Sequence, residues 1–567
     1  MNKVDKQFEN WIKNVKESDL LEDLKNISNN EIEKHDRFCK DISFGTAGLR
    51  GIMSAGTNRM NVYTVRRACQ GLANYLNKNY SSPSAAVSFD SRNNSWLFAC
   101  ETAKVLSANG IKVYITKKLA PTPFLSFLVR HYKASAGVMI TASHNTAEYN
   151  GYKCYGPDGA QLDEIGAEKI FDEISKVDIF KDVQVTDFDT QLENKMISFV
   201  SEAAYNEYFK CVLEQRINKV DLNSLKIVYT PLCGTGNLFV KEAFKRAGVC
   251  NLVIEPTQEH PDGNFTTCPS PNPEIKQAFD KALTLAKSEN ADIVIATDPD
   301  ADRLGVCVKH DGDYRLLTGN EIGIILLNYI LKNKKSLNCV GLPVVVKSVV
   351  STMAANAIAE KYNCEVREVL TGFKNIAREI LSLEEKNELD RYIFGFEESN
   401  GYLTGPYVRD KDAISASLLI YEASVWWKNN FNSSLIDILS DIYNEVGYYK
   451  EKTMGFLLNG DTIKKIMHYL RCDLLSGNAK NIVLVKDYLS AEVTDLISKK
   501  TTHQDLPKSN IISAQFSDGT QIIVRPSGTE PKIKFYIMVK SNSISQAESL
   551  LERYNGLVNK FVESFKN

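Results

Sequence analysis

No stretch of this 567-residue chain approaches the ~18 apolar residues of a membrane span; the apolar stretch 322–331 is too short and contains Asn328. Net charge is nearly absent. Lys and Arg total 68 against 70 Asp and Glu, a balance of -2, which argues against a general nucleic-acid binder and requires any cationic site for an anionic ligand to be local. The twelve cysteines include no C-x-x-C pair, so they read as reduced, buried thiols rather than a disulfide framework. The N-terminus, Met1-Asn2-Lys3-Val4-Asp5-Lys6, alternates charge without an apolar core, unlike a signal peptide. The expectation is a soluble, cytoplasmic protein with neither nucleic acid nor membrane as partner.

What is present is a globular composition, 43% apolar and 24% charged, in a chain too long for one core. The first 35 residues or so read as charged helix with Phe8, Trp11, Ile12 and Val15 on one face. A glycine-rich loop, Ser43-Phe44-Gly45-Thr46-Ala47-Gly48-Leu49-Arg50-Gly51, follows. Strand and helix then alternate. Strands are expected at 86–89, 113–115 and 137–140, with helices at 96–108 and 124–131. The rhythm restarts with a strand at 226–229, a helix at 237–247 and strands at 252–254 and 293–295. It restarts again with a strand at 343–346, a helix at 353–362 and a strand at 392–394. Repeated β-α-β units mean mixed or parallel sheets covered by helices. The tail differs: antiparallel strands at 522–524 and 535–539 precede a helix opened by a Ser545/Glu548 capping box, with Leu551, Tyr554, Val558, Phe561 and Phe565 inward. The polar stretch 492–508 reads as a solvated loop or edge. The fold class is α/β: three related mixed α/β sandwich domains plus a C-terminal α+β domain. Boundaries are expected at 1–212, 213–322, 323–448 and 449–567.

Thr141-Ala142-Ser143-His144-Asn145 follows the buried strand 136–140, and Asn150-Gly151 reads as a turn. Ser143 lacks the G-x-S-x-G frame of a hydrolase elbow. A serine here either caps a turn or acts as a nucleophile, and these residues alone leave both open. Asp298-Pro299-Asp300-Ala301-Asp302-Arg303 follows another strand. Carboxylates at alternate positions can aim oxygens at one hard cation. An EF-hand is excluded, since its sixth position is Arg303 and its twelfth Lys309. Mg2+ typically takes a few carboxylates plus phosphate oxygens, and a phosphorylated Ser143 would supply one. Gly395-Phe396-Glu397-Glu398-Ser399-Asn400-Gly401 places a carboxylate and a hydroxyl two residues apart, suited to adjacent sugar hydroxyls or simply a surface loop. Arg525-Pro526-Ser527-Gly528-Thr529-Glu530-Pro531-Lys532 offers a bidentate fork, hydroxyls and loop amides that can wrap a phosphate.

These loops, in this order, resemble the α-D-phosphohexomutase family across essentially the whole chain. Gly395 to Tyr402 and Val408-Arg409-Asp410-Lys411-Asp412 are most similar to the branch of firmicute-type α-phosphoglucomutases and phosphoglucomutase-2/phosphopentomutase relatives. The resemblance implies four domains around a central cleft, a phosphorylated Ser143, and one Mg2+ per chain on Asp298, Asp300, Asp302 and that phosphate. It implies Glu397 and Ser399 on sugar hydroxyls, and Arg525, Ser527, Gly528 and Thr529 on the non-reacting phosphate. The implied activity is an intramolecular phosphotransferase on hexose phosphates, interconverting glucose 1- and 6-phosphates through a sugar bisphosphate, which is both intermediate and activator. Phosphomannomutase or phosphopentomutase activity is the alternative. For proton transfer the candidates are Lys153, Arg50, His144 and Arg303, with Lys153 favoured as proton carrier and His144 as orienting the loop. Lys374 either contacts substrate or is solvated. A non-catalytic relative would have lost a nucleophile or ligand, and none is lost here. Cys233 stands where relatives usually carry histidine, a change read as structural. Monomer and homodimer are both open.

Overall fold

The structure, a computed structural model, describes residues 2–45, 48–333, 340–475, 481–527 and 531–566. Its first sheet has six strands, in spatial order Gly48–Ile52, Tyr149–Tyr155, Ala136–Ile140, Ser84–Phe89, Lys112–Ile115 and Ile197–Phe199. The second has five, Asp313–Leu316, Leu304–His310, Ile293–Thr297, Ile227–Thr230 and Leu252–Ile254. The third has four, Glu365–Val369, Val344–Ser348, Tyr392–Glu397 and Gly401–Leu403. Each has a parallel core of β-branched and apolar residues, as strands buried on both faces require.

One topological device recurs in all three. The chain leaves a parallel strand, makes a loop, and returns antiparallel beside it: Ala136–Ile140 into Tyr149–Tyr155, Ile293–Thr297 into Leu304–His310, Tyr392–Glu397 into Gly401–Leu403. The serine, triple-aspartate and glutamate motifs occupy these three loops. The fourth sheet is wholly antiparallel among its seven strands, Tyr448–Leu457, Lys532–Ser541, Gln521–Pro526, Ile512–Phe516, Ile482–Asp487, Glu492–Asp495 and Lys500–His503. Arg525 and Lys532 stand at the facing ends of the paired strands Gln521–Pro526 and Lys532–Ser541. The chain is therefore three α/β domains and a C-terminal α+β domain around a cleft.

The cores explain how the cleft is held. One apolar cluster runs without a break from Phe124 and Tyr208 through Phe239 and Ile295 to Val345 and Trp427, joining the first three sheets. The fourth domain has its own core and meets the third through a smaller cluster, Val349, Val350 and Leu370 against Tyr488, Ile523 and Tyr536. Among the described cysteines, those other than Cys364 are free thiols.

Several sequence expectations need correction. The N-terminal segment is three short helices, Lys3–Asn14, Ser18–Asn26 and Glu31–Phe38. Phe8, Trp11 and Val15 are buried, but Ile12 is exposed, one step around the helix from that stripe. Gly48 to Gly51 is not loop but edge strand, paired with Tyr149–Tyr155. Asn150-Gly151 is not a turn but part of that strand; a Cβ at Gly151 would meet the Thr141 carbonyl oxygen at 2.4 Å, so the glycine serves close strand approach. The last helix, Ile544–Glu563, is capped by Ser543 donating no box; its Oγ accepts from the Gln546 amide, and Ser545 lies inside the helix. The stretch 492–508, by contrast, is the solvated edge expected: Glu492–Asp495 and Lys500–His503 form a hairpin at the rim of the fourth sheet.

Candidate active site

Ser143 sits in the left-handed region, φ +52°, an uncommon place for a non-glycine residue. Its surroundings hold it there. Its amide donates to Thr141 Oγ1 at 2.8 Å, and the guanidinium of Arg92 donates to the carbonyls of Ser143, Asn145, Thr146 and Tyr149. Arg92 is itself buried against Asp90, Nε to Oδ2 at 3.3 Å. The Ser143 hydroxyl is thereby turned onto the second domain, donating to Asp298 Oδ2 at 2.9 Å, while His144 Nδ1 lies 3.2 Å from Ser143 Oγ.

Asp298 organises its own loop. Its Oδ1 accepts from the amides of Asp302 and Arg303 at 3.1 and 3.0 Å, leaving Oδ2 for Ser143. Ligand oxygens of Asp298, Asp300 and Asp302 all lie within 4.8 Å of one another, and all three residues are buried. Burial and the charges of Asp300 and Asp302 push the Asp298 carboxyl well above its usual range. Burial also opposes ionisation of Asp300, but the Lys153 ammonium and the Thr122 hydroxyl outweigh it and hold that carboxyl low. Asp300 Oδ1 and Asp302 Oδ1 are buried without a hydrogen-bond donor. Crowded hard oxygens with orphaned lone pairs fit a divalent cation such as Mg2+, which would relieve the repulsion.

Lys153 Nζ reaches Asp300 Oδ2 at 2.8 Å and Asp302 Oδ2 at 3.7 Å, so it lies on the acids rather than on Ser143. Burial, then Arg303 and Arg50, lower the His144 pKa well below its usual value, which keeps the ring neutral beside the serine. Arg50 donates to Asn145 Oδ1 at 3.1 Å, and Arg303 pairs with Glu274. The glutamate loop is tied to the aspartate loop: Leu304 and Asn400 exchange hydrogen bonds of 3.0 and 2.8 Å. Glu397 Oε1 accepts from the Gly372 amide at 2.7 Å, and desolvation raises its pKa against the pull of Lys411.

His144, Arg303, Lys374, Glu397, Ser399 and Arg525 line one cavity of about 880 Å³. Lys374 is paired with Glu164 across it at 2.5 Å. Ser527 is described, its amide donating to the Lys532 carbonyl at 2.7 Å; Gly528 and Thr529 lie outside the described residues. Cys233 is buried, Sγ 3.7 Å from Thr267 Oγ1, in a loop whose Thr235 amide donates to Pro299 O at 2.8 Å, supporting the aspartate loop from below.

The sequence reading assigned no role to two cations. Arg92 fixes the serine loop as described. Lys411 Nζ lies 3.1 Å from Asp302 Oδ2 and 2.9 Å from Asp410 Oδ1, over the Phe373 ring. Burial opposes its charge, but Asp302, Asp410 and Glu397 together keep it protonated. Its place in Val408-Arg409-Asp410-Lys411-Asp412 was the available signal.

A strand-end serine on a buried aspartate trio, beside a cleft lined by Glu397, Ser399 and Arg525, has the chemistry of a phosphoryl-transfer site on an α/β scaffold. The chain belongs to the phosphoglucomutase/phosphomannomutase family: models described as Phosphoglucomutase/phosphomannomutase alpha/beta/alpha domains I, II and III match residues 41–179, 206–312 and 318–446. It is 36% identical over 549 residues to a phosphoglucomutase of Staphylococcus saprophyticus, covering 96% of this chain and 98% of that one. It is 37% identical over 536 residues to a phosphoglucomutase of Staphylococcus epidermidis, covering 93% and 96%. In fold it is similar to the open form of pp63/parafusin, a phosphoglucomutase of Paramecium, with TM-score 0.70 at 18% identity over 93% of this chain and 96% of that one. No helix among the described residues is long and apolar enough to cross a membrane.

Proposed function

We propose that this chain is an intramolecular phosphotransferase that interconverts glucose 1-phosphate and glucose 6-phosphate. The observation that carries the reading is the hydrogen bond of the Ser143 hydroxyl to Asp298, at 2.9 Å, inside the aspartate trio. It is supported by the whole-length likeness to phosphoglucomutases.

In the first half-reaction phosphoserine 143 donates its phosphoryl group to the free hydroxyl of the sugar monophosphate. The P–Oγ bond breaks, a P–O bond to the sugar forms, the sugar hydroxyl loses its proton and Ser143 ends protonated. Lys153 is the proton carrier, taking the proton of the sugar hydroxyl and passing it to the departing Oγ, while His144, with Nδ1 3.2 Å from Oγ, orients the loop. Arg50 and Arg303 stabilise charge on the transferring group without giving up protons. A divalent ion on Asp298, Asp300 and Asp302, which we take to be Mg2+, would neutralise that charge. Glu397 and Ser399 hold ring hydroxyls, Lys374 exchanges Glu164 for substrate, and Arg525, Ser527, Gly528 and Thr529 hold the idle phosphate. The bisphosphorylated sugar then turns end for end and returns its other phosphate to Ser143, so free sugar bisphosphate also activates the dephosphorylated enzyme.

The four-domain division at 1–212, 213–322, 323–448 and 449–567 belongs to this proposal, supported by sheets that span residues 48–199, 227–316, 344–403 and 448–541 in turn. So do a cytoplasmic location, a hexose phosphate as the sole partner class, and a monomer or homodimer. The test is conversion of glucose 1-phosphate in the presence of glucose 1,6-bisphosphate and Mg2+, coupled to glucose-6-phosphate dehydrogenase, beside mannose, ribose and deoxyribose 1-phosphates. Glucose 1-phosphate should turn over fastest; a pentose or mannose preference would reassign the substrate, and no turnover of any would sink the reading.

A further inference from the structure

Arg92 clamps the Ser143 loop with the edges of its guanidinium. Its terminal nitrogens donate to four carbonyls of that loop, and its Nε faces Asp90. The donors of a guanidinium lie in its plane, so only the two faces are left. Phe265, from the second domain, takes one of them: the centroid of its ring lies 4.9 Å from Arg92 Cζ.

Core packing does not place Phe265 there. It is 0% exposed, between the exposed residues Asn264 and Thr266. Among the described residues it joins none of the apolar clusters that form the domain cores. Its φ is +48°, in the left-handed region, which is strained for so bulky a side chain. The loop holds it in that conformation. Asp262 Oδ1 and Oδ2 accept from the amides of Asn264 and Thr266 at 2.9 and 2.8 Å, and the Asp262 carbonyl accepts from the Phe265 amide at 3.1 Å. The tip of the same loop docks beside Arg92. A Cβ at Gly263 would stand 2.4 Å from Asn93 Oδ1 and 2.6 Å from the Asn93 amide nitrogen, and Asn93 Nδ2 donates to Asn264 Oδ1 at 2.7 Å.

We propose that Phe265 is a positioning residue for phosphoryl transfer: its ring, stacked on Arg92, holds the Ser143 loop in its reactive conformation. An aromatic face attracts a buried guanidinium and excludes water from that side of it. The domain that carries the aspartate trio thereby grips the nucleophile loop at a second point, apart from Asp298. A reacting atom displaced by about 1 Å can lose about a hundredfold in rate. A slack clamp therefore shows in the transfer step rather than in sugar binding, which the third and fourth domains supply. The inference rests on the mutase reading for the reaction it serves.

The test uses the full chain. Phe265→Leu keeps apolar volume and removes the aromatic face; Phe265→Tyr keeps the face. Circular dichroism and melting establish that each folds. Hydrogen exchange of the amides in 143–149 should rise about tenfold in Phe265→Leu, the worth of a buried cation–aromatic contact. With Mg2+ present, saturating glucose 1,6-bisphosphate should phosphorylate Ser143 about tenfold more slowly in that variant, followed by intact mass. KM for glucose 1-phosphate should change little, and Phe265→Tyr should recover most of both losses. In an Arg92→Lys background, where the clamp is already slack, Phe265→Leu should add little. Phe265→Leu phosphorylated as fast as its parent overturns the inference, and so does unchanged hydrogen exchange. A full further loss on top of Arg92→Lys overturns it too, since Phe265 would then act elsewhere. If the parent itself takes no phosphate from the bisphosphate, the mutase reading fails and this inference with it; if the parent is phosphorylated and Phe265→Leu matches it, only the inference falls.

Discussion

Thr122 donates to Asp300 twice, through its amide to the backbone carbonyl at 2.9 Å and through its hydroxyl to Oδ2 at 2.7 Å, across 178 residues of sequence. This contact docks the first domain on the second and leaves Asp300 Oδ1 facing the trio. Groups that orient metal ligands are worth about 10–100-fold in metal affinity. Thr122→Val should therefore raise the divalent-ion concentration needed for half-maximal mutase activity by that order, with stability lowered by about 1–2 kcal/mol. Metal titrations of activity and urea unfolding check the two parts.

Ser143→Ala should abolish turnover while the melting temperature stays within a few degrees. Intact-mass analysis of the parent should show a fraction heavier by one phosphate, absent from the variant. Near-normal mutase activity in the variant would remove Ser143 from the mechanism.

Arg92 is fully enclosed with Asp90, both side chains 0% exposed. Arg92→Met leaves Asp90 unpaired and four loop carbonyls without their donor, so it should cost about 3–5 kcal/mol. Because that loop holds Ser143, kcat should fall with it. Denaturant unfolding beside steady-state kinetics reads both, and an unchanged unfolding midpoint would contradict the clamp.

Divalent metal should stabilise the fold, since it relieves repulsion among buried carboxylates. At a hundred times its dissociation constant Mg2+ should contribute about 2.7 kcal/mol. Chelation should lower the melting temperature of the parent, whereas Asp300→Asn should show little response to either treatment.

Two glutamates near the junction of the third and fourth domains give a pH dependence of known sign. Burial, then the charge of Glu397, pushes Glu398 up to about 7 from 4.5. Burial, with Glu321 nearby, does the same to Glu451, again to about 7, against hydrogen bonds from Thr352 and Asn320. Between pH 4.5 and about 7 the folded state binds more protons at these sites than the unfolded state, so stability falls as pH rises through that window and levels off above it. The difference in unfolding free energy between the parent and a Glu398→Gln, Glu451→Gln double variant should carry this slope. A difference that does not change between pH 5 and 8 would exclude it.

The loops were legible because each follows a run of buried strand and holds its chemistry within a few consecutive residues: Ser143 after 136–140, the aspartates after 293–297, Glu397 at the end of 392–397. Strand burial and loop polarity are local, so sequence reports them. The Arg92 clamp was not legible, because its carbonyl acceptors lie 51 to 57 residues away and carry no side-chain signature. Gly151 was misread as a turn for the same reason: the atom that excludes a side chain there belongs to Thr141, just past the neighbouring strand 136–140.

Alternating apolar strands, amphipathic helices and the order of the four motifs fixed the architecture and the family from the chain alone. Tertiary structure decided which groups meet across domains: Lys153 and Thr122 on Asp300, and Lys411 on Asp302. Those pairings depend on how the sheets dock, and docking is set by burial of surfaces far from the motifs, where spacing along the chain carries no information about distance.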